Sequence, residues 1–231
     1  MNRNIFINLL CLTMCLFSAS ESYAQQKTLS KTAVSIKQQG YVDVQDEDPT
    51  IKVSLMYSRP DNFTGKILYK DLKEAFLHPQ AAKALAKAQK ELKRLRPDLS
   101  LIVFDAARPM SIQQQMWDVV KGTSKNIYVS NPANGGGLHN YGFAVDVSIC
   151  DEKGDTIPMG TQIDHMGKEA HPEYETSMLA KGKISKEAVN NRKLLRRVMS
   201  AGGFRVLKTE WWHFNLKTRA QVKAEKRKPI R

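Results

Sequence analysis

The stretch that decides the fold is GGGLHNYGFAVDVSIC, residues 135–150. Its second half alternates. Phe143, Val145, Val147 and Ile149 fall on one face of a strand, and Ala144, Asp146 and Ser148 on the other. The first face is wholly apolar and suits a core. The second carries a carboxylate, which is costly inside an apolar strand unless something pairs with it. Seven residues earlier His139 sits among glycines that allow the backbone to turn tightly. A strand fed by such a loop brings a histidine and an aspartate towards one place.

The surrounding segments have the periods of a mixed fold. LSLIVFDA, 99–106, is short, branched and nearly all apolar, which predicts a buried strand delivering Asp105, Arg108 and Pro109 to its end. Before it, Pro79 opens a helix to about Leu95, with Ala81, Leu85, Ala88, Leu92 and Leu95 at three- and four-residue steps. After it, Ser111 is placed to cap a helix over 112–121, with Gly122 as its stop. Residues 123–142 read as a loop. Ser185 caps a further helix to about Ser200, and Gly202 and Gly203 end it. FRVLK and WWHFNL then predict two strands or one bent strand, and IKVSLMY, 51–57, has strand character. No repeat is present. Separated strands and helices in one chain of this size predict a single α+β domain.

The ends are expected to differ from that domain. Residues 1–24 have a secretory signal's make-up: Arg3 at the start, an apolar run from Ile5 to Phe17, and small residues before Gln25. Residues 25–50 are polar and mixed and read as an extended or loosely attached lead-in. The catalytic region is expected over 51–216, followed by a basic, solvated tail over 217–231. Of three cysteines, Cys11 and Cys15 leave with the signal and Cys150 remains as a core thiol, so no internal disulfide framework is expected. The net charge of +13 favours anionic surroundings such as an envelope polymer. Export, and the lack of interleaved basic and aromatic residues, argue against nucleic acid.

Six polar positions need an explanation. His139, Asp146 and His213 make a ligand set for a catalytic zinc with a fourth position left open. The other reading is two separately hydrogen-bonded histidines. Glu210 precedes His213 by three residues, so in a regular strand the two face opposite ways. Either the strand bends near Trp211 and Glu210 serves as a base, or Glu210 is a surface carboxylate beside Lys208. Arg108 suits stabilisation of a developing oxyanion, or a structural ion pair with Asp105. Asp164, in irregular chain, suits a substrate ammonium or open solvent, and the nearby His165 and His171 read as surface residues.

His139-x6-Asp146 with a distant Glu210-x-x-His213 resembles the zinc D-alanyl-D-alanine dipeptidases. These are the VanX-like members of the wider D-Ala-D-Ala carboxypeptidase group of metallopeptidases. The family pattern runs Ser-x-His-x-x-Gly-x-Ala-x-Asp and then Glu-x-Trp-His; here the two parts read GLHNYGFAVD, 137–146, and EWWH, 210–213. YSRPDNFTG at 57–65, DAARP at 105–109, PMGTQID at 158–164 and NRKLLRRVMSAGGF at 191–204 extend the likeness over nearly the whole mature chain.

The resemblance implies a Hedgehog/DD-peptidase-like α+β fold with a mainly antiparallel sheet flanked by helices. It implies one Zn2+ per chain on His139, Asp146 and His213, with Glu210 as general base. Arg108 then stabilises the transition state and Asp164 lies at the substrate's amino end. The implied reaction is hydrolysis of a small D,D-dipeptide, D-Ala-D-Ala, to two D-alanines in wall turnover or recycling. The implied location is the periplasm, with no nucleic-acid partner and no stable membrane insertion after signal cleavage. A zinc D,D-carboxypeptidase acting on longer peptidoglycan peptides is the nearest alternative. A non-catalytic wall-binding module is another, but it would have shed Glu210 or a ligand. One departure is plain: Gly137 stands where the family often has serine.

Overall fold

The computed structural model describes residues 28–231. The expected signal segment lies outside the described residues. The first element, α1 (Lys31–Gln38), starts at Ser30, whose hydroxyl accepts from the Ala33 N–H, and it buries Ala33 and Ile36 completely. β1 (Val42–Asp43) and the short α2 (Val44–Glu47) follow. β2 (Lys52–Val53) comes next, and β3 (Phe76–Leu77) pairs back antiparallel onto β1. Residues 31–47 are therefore built into the core. This corrects the expected loose lead-in: Ile36 and Val44 find apolar partners that are distant in sequence.

α3 (Pro79–Leu95) carries Pro79 in its first turn, and His78 Nδ1 accepts from the Gln80 N–H. β4 (Ser100–Asp105) leads into α4 (Met110–Val120), which begins directly after Pro109. Ser111 thus lies inside the helix and not at its cap. β5 (Ala144–Cys150) is buried along its whole length, Cys150 included. α5 (Glu175–Ala180) precedes α6 (Lys186–Ala201), whose cap is Ser185 as expected. β6 (Arg205–Leu207), β7 (Glu210–Asn215) and α7 (Arg219–Ala224) complete the chain.

The main sheet has the order β2-β4-β5-β7-β6. Only β2 runs parallel to its neighbour, and the other pairings are antiparallel. Val145, Val147 and Ile149 are fully buried on the face opposite Asp146, as the alternation predicts. α3 and α6 pack together, and Gly202 permits their close approach: a Cβ there would lie 2.4 Å from the Ala84 carbonyl oxygen. Among the described residues no helix is long and apolar enough to cross a membrane.

Two irregularities in the sheet matter for function. Between Val103 and Asp105 the β4–β5 register slips, which sets Asp105 opposite Asp146. Between Val206 and Leu207 the β6–β7 register slips as well: Val206 faces Phe214 while Leu207 faces Glu210. β7 is thus out of step with its edge partner over the residues joining Glu210 to His213.

The chain's end also departs from expectation. Ile230 is fully buried. Its N–H donates to the Asn140 carbonyl at 2.7 Å, and its own carbonyl accepts from the Met110 N–H at 3.0 Å. The tail is basic, but it closes against the loop that carries His139 and is not a free solvated end.

Candidate metal centre

His139 lies in a single 3-10 turn, Leu138–Tyr141, with Gly142 after it at φ +67°. A Cβ on Gly142 would come within 2.7 Å of the His78 backbone nitrogen, so the turn is closed by a residue that must be glycine. Asp146 stands on β5, directly opposite His213 on β7. His139 Nε2 is 3.2 Å from His213 Nδ1 and 3.3 Å from Asp146 Oδ1. His213 Nδ1 is 3.0 Å from the same Asp146 oxygen. All three side chains are largely buried.

The remaining ring nitrogens decide what these contacts are. His139 Nδ1–H donates to the Ala106 carbonyl at 2.7 Å, and His213 Nε2–H donates to Asn215 Oδ1 at 2.9 Å. Each neutral imidazole has only one N–H. His139 Nε2, His213 Nδ1 and Asp146 Oδ1 are therefore three acceptors turned on one another without a hydrogen between them. Such a set needs a cation. Its edges are close to the roughly 3.3 Å between two ligands held at about 2.0–2.1 Å from a tetrahedral ion. The residues fit a metal, and among the described residues this is the cluster that brings three such ligands together.

Burial works against the charge on Asp146; positive charge at its neighbours, a proton on His139 and then on His213 when no ion is bound, holds its carboxyl well below the usual carboxylate range. Glu210 is buried nearby, with Oε2 3.8 Å from His213 Nδ1, so the two share one side despite their spacing. The slipped pairing of β7 accounts for the bend. Burial pushes Glu210 up to about 8 against the pull of His213. Of the tandem tryptophans, Trp212 walls the cavity. Trp211 turns away and its indole N–H donates to Thr161 Oγ1.

Arg108 makes the ion pair with Asp105 that one of its sequence readings gave, and it also reaches the cavity. Its guanidinium binds Asp105, through Nε at 2.8 Å and through Nη2, and Nη2 also lies 3.7 Å from Asp146 Oδ2. Nη1 donates to Gln113 Oε1 at 3.0 Å. Tyr69 Oη donates to the other Asp105 oxygen at 2.6 Å. The pair is buried, yet Arg108 still lines the cavity.

That cavity, of about 560 Å³, lies over the three acceptors and also takes in Glu210 and Asp164. Asp164 adopts φ +63°, unusual for a residue with a side chain, and its two oxygens accept from Tyr57 Oη at 3.1 and 3.0 Å. It faces the cavity and not open solvent.

A family model described as D-ala-D-ala dipeptidase matches residues 37–228. The chain belongs to that family.

Among relatives of this D-ala-D-ala dipeptidase family member is the D-alanyl-D-alanine dipeptidase of Escherichia coli (strain K12). It is 33% identical over 168 residues, covering 73% of this chain and 80% of the relative. The D-alanyl-D-alanine dipeptidase of Enterococcus faecalis (strain ATCC 700802 / V583) is 25% identical over 179 residues, covering 69% of this chain and 83% of the relative. Family membership and the acceptor triad together make the chain a metallopeptidase.

The histidines outside the triad stay outside it. His165 is exposed beside Glu169. His171 is buried against Tyr128, which corrects its reading as a surface residue; Nε2 lies 3.0 Å from the Tyr128 hydroxyl. The functional neighbours that residue-by-residue reading passed over are Tyr57, Gln113 and Asn215. Tyr57 stood in the quoted YSRPDNFTG segment, so a signal for it existed. Asn215 follows His213 by two residues on the same strand face, a spacing that offers it as the outer partner of a ligand.

Proposed function

We propose that this family member hydrolyses D-Ala-D-Ala to two D-alanines, with zinc held by His139, Asp146 and His213. The observation that carries the reading is the acceptor triad with a donor-free carboxylate beside it. Among the described residues none donates a hydrogen bond to the Glu210 carboxylate, which borders the same cavity 3.8 Å from His213 Nδ1. Two imidazoles and one carboxylate are a usual set for catalytic zinc, which when bound supplies a Lewis acid and a water of lowered pKa.

The chain's residues then divide the work. Glu210 takes the proton from the attacking water as its oxygen adds to the peptide carbonyl. Arg108, fixed by Asp105 and Gln113, presents positive charge to the oxygen on which negative charge develops. The C–N bond breaks as Glu210 passes its proton to the departing amine. Asp164, aligned by Tyr57, receives the substrate's ammonium at the far end. Burial, and then the Asp164 carboxylate, push the Tyr57 phenol well above its ordinary value, so it stays a donor to that carboxylate.

The test is release of free D-alanine from D-Ala-D-Ala by zinc-loaded and by chelated protein, with an N-acetylated dipeptide in parallel. Zinc-dependent release from the free dipeptide, and little from the blocked one, is the expected result. Equal release from both would assign a carboxypeptidase. We also propose export to the periplasm and a role in wall dipeptide turnover, on the signal-like composition of residues 1–24. N-terminal sequencing of protein from fractionated cells checks that placement, and an intact Met1 in the cytoplasmic fraction would rule it out.

A further inference from the structure

The sheet order lays out charge across the cavity. Tyr57 follows β2 at one edge, and Asp164 is bonded to it. The acceptor triad lies in the middle, on β5, β7 and the His139 turn. At the opposite edge, β6 contributes Arg205, and the first residue of α7 is Arg219; both line the cavity. Arg205 faces Asn215 in the β6–β7 pairing, one residue beyond the partner of the ligand strand's Phe214. One end of the cavity is therefore acidic and the other cationic.

The two arginines are free to act. Both side chains are exposed, and among the described residues neither guanidinium has a carboxylate partner. Lys217, which also borders the cavity, is by contrast engaged with Glu225. A guanidinium stays charged at every relevant pH and presents a fork that matches a carboxylate. Arg219 and Leu138 border a second cavity of about 470 Å³ next to the first.

We infer that Arg205 and Arg219 form the subsite for the C-terminal carboxylate of the substrate. This rests on the dipeptidase reading, which places the ammonium at Asp164 and the scissile carbonyl at the triad. A dipeptide laid in that direction carries its only remaining charge towards β6 and α7. Gly137, at the head of the His139 turn, lines the same cavity without a side chain that could bind a carboxylate, and the two exposed arginines at the β6 and α7 edge supply that recognition.

The experiment compares D-Ala-D-Ala with its C-terminal amide, D-Ala-D-alaninamide, for the zinc-loaded wild type and for an R205Q/R219Q double variant. Zinc content and the thermal midpoint of each protein are recorded as well. The wild type should prefer the acid over the amide in kcat/KM by about ten- to hundredfold, as expected for charge-assisted hydrogen bonds. In the double variant that preference should collapse towards one, through KM, with zinc still at one per chain. Turnover with an undiminished preference for the acid would overturn the subsite alone. No turnover of either substrate by the wild type would overturn the dipeptidase reading, and the subsite with it.

Discussion

Replacing Asn215 with alanine removes one atom that matters, the oxygen that accepts from His213 Nε2–H at 2.9 Å. The two histidines of the triad are oriented by different means. His139 is held by the Ala106 backbone carbonyl, which no substitution can delete. His213 depends on a single side chain. Without Asn215 the imidazole is free to place its hydrogen on Nδ1, the atom that faces Asp146 and His139. Losing such an outer partner lowers metal affinity about 10- to 100-fold, equivalent to about 1.4–2.7 kcal/mol. The effect on folding is smaller. Asn215 is half-buried, and one such hydrogen bond contributes about 1 kcal/mol net, or about 2–4 °C in a chain of this size. Zinc affinity, measured by competition with a chromogenic chelator, should therefore fall much further than the melting point of metal-free protein. Asn215→Asp, which keeps an acceptor, should retain most of the affinity. Unchanged affinity in Asn215→Ala would refute the tautomer argument. So would a loss matched in full by destabilisation of the metal-free protein.

Glu210→Gln should lower kcat about 10²- to 10⁴-fold while zinc analysis still finds one ion per chain; near-normal D-alanine release would remove Glu210 from proton transfer. Asp164 tests a pH effect. Burial, and then the Asp146 charge, raise its folded pKa from 3.8 to about 7. The folded state holds this proton more tightly, so the contribution to stability is complete below the unfolded value and lost as pH rises through about 7. Metal-free Asp164→Asn should thus melt with a flatter pH dependence than wild type between those values, and scans of both proteins decide it. Asn also tolerates the positive φ at this position. Gly137→Ser should destabilise the wild type by about 1–3 kcal/mol, because a Cβ there lies 2.9 Å from Ser130 Oγ. Adding Ser130→Ala should recover much of that loss in denaturant unfolding, and full additivity of the two substitutions would show that they do not meet.

Period and spacing carried the central part of the fold. The alternation of residues 143–149 placed Asp146 opposite an apolar face, and β5 has that arrangement. Pro79 and Ser185 marked helix starts because those signals are local. Ser111 misled because it has the chemistry of a cap, while Pro109 fixes the backbone earlier and starts the helix at Met110. Residues 31–47 and Ile230 were misread for another reason. Their burial depends on partners far away in sequence, and a polar composition says nothing of where a few apolar side chains dock. In the site, His139, Asp146, His213 and Glu210 were legible as residue types that seek company. The bend that turns Glu210 towards His213 was only a preference, since it depends on the register with β6. Asn215 and Gln113 were overlooked because amides are common on surfaces, and only position shows that one holds a ligand and the other an arginine.

The seam between Ile230 and the His139 turn has a consequence for how the centre assembles. The Arg108 N–H donates to the His139 carbonyl, Asn140 Nδ2 donates to the Arg108 carbonyl, and Ile230 then bonds to both Asn140 and Met110. The turn bearing His139 is thus braced by a residue far downstream in sequence. Closing so long a loop costs entropy that a local segment alone does not offset. The His139 turn therefore takes its final shape only with the docked domain around it, so the three acceptors come together as a property of the whole fold and not of one strand.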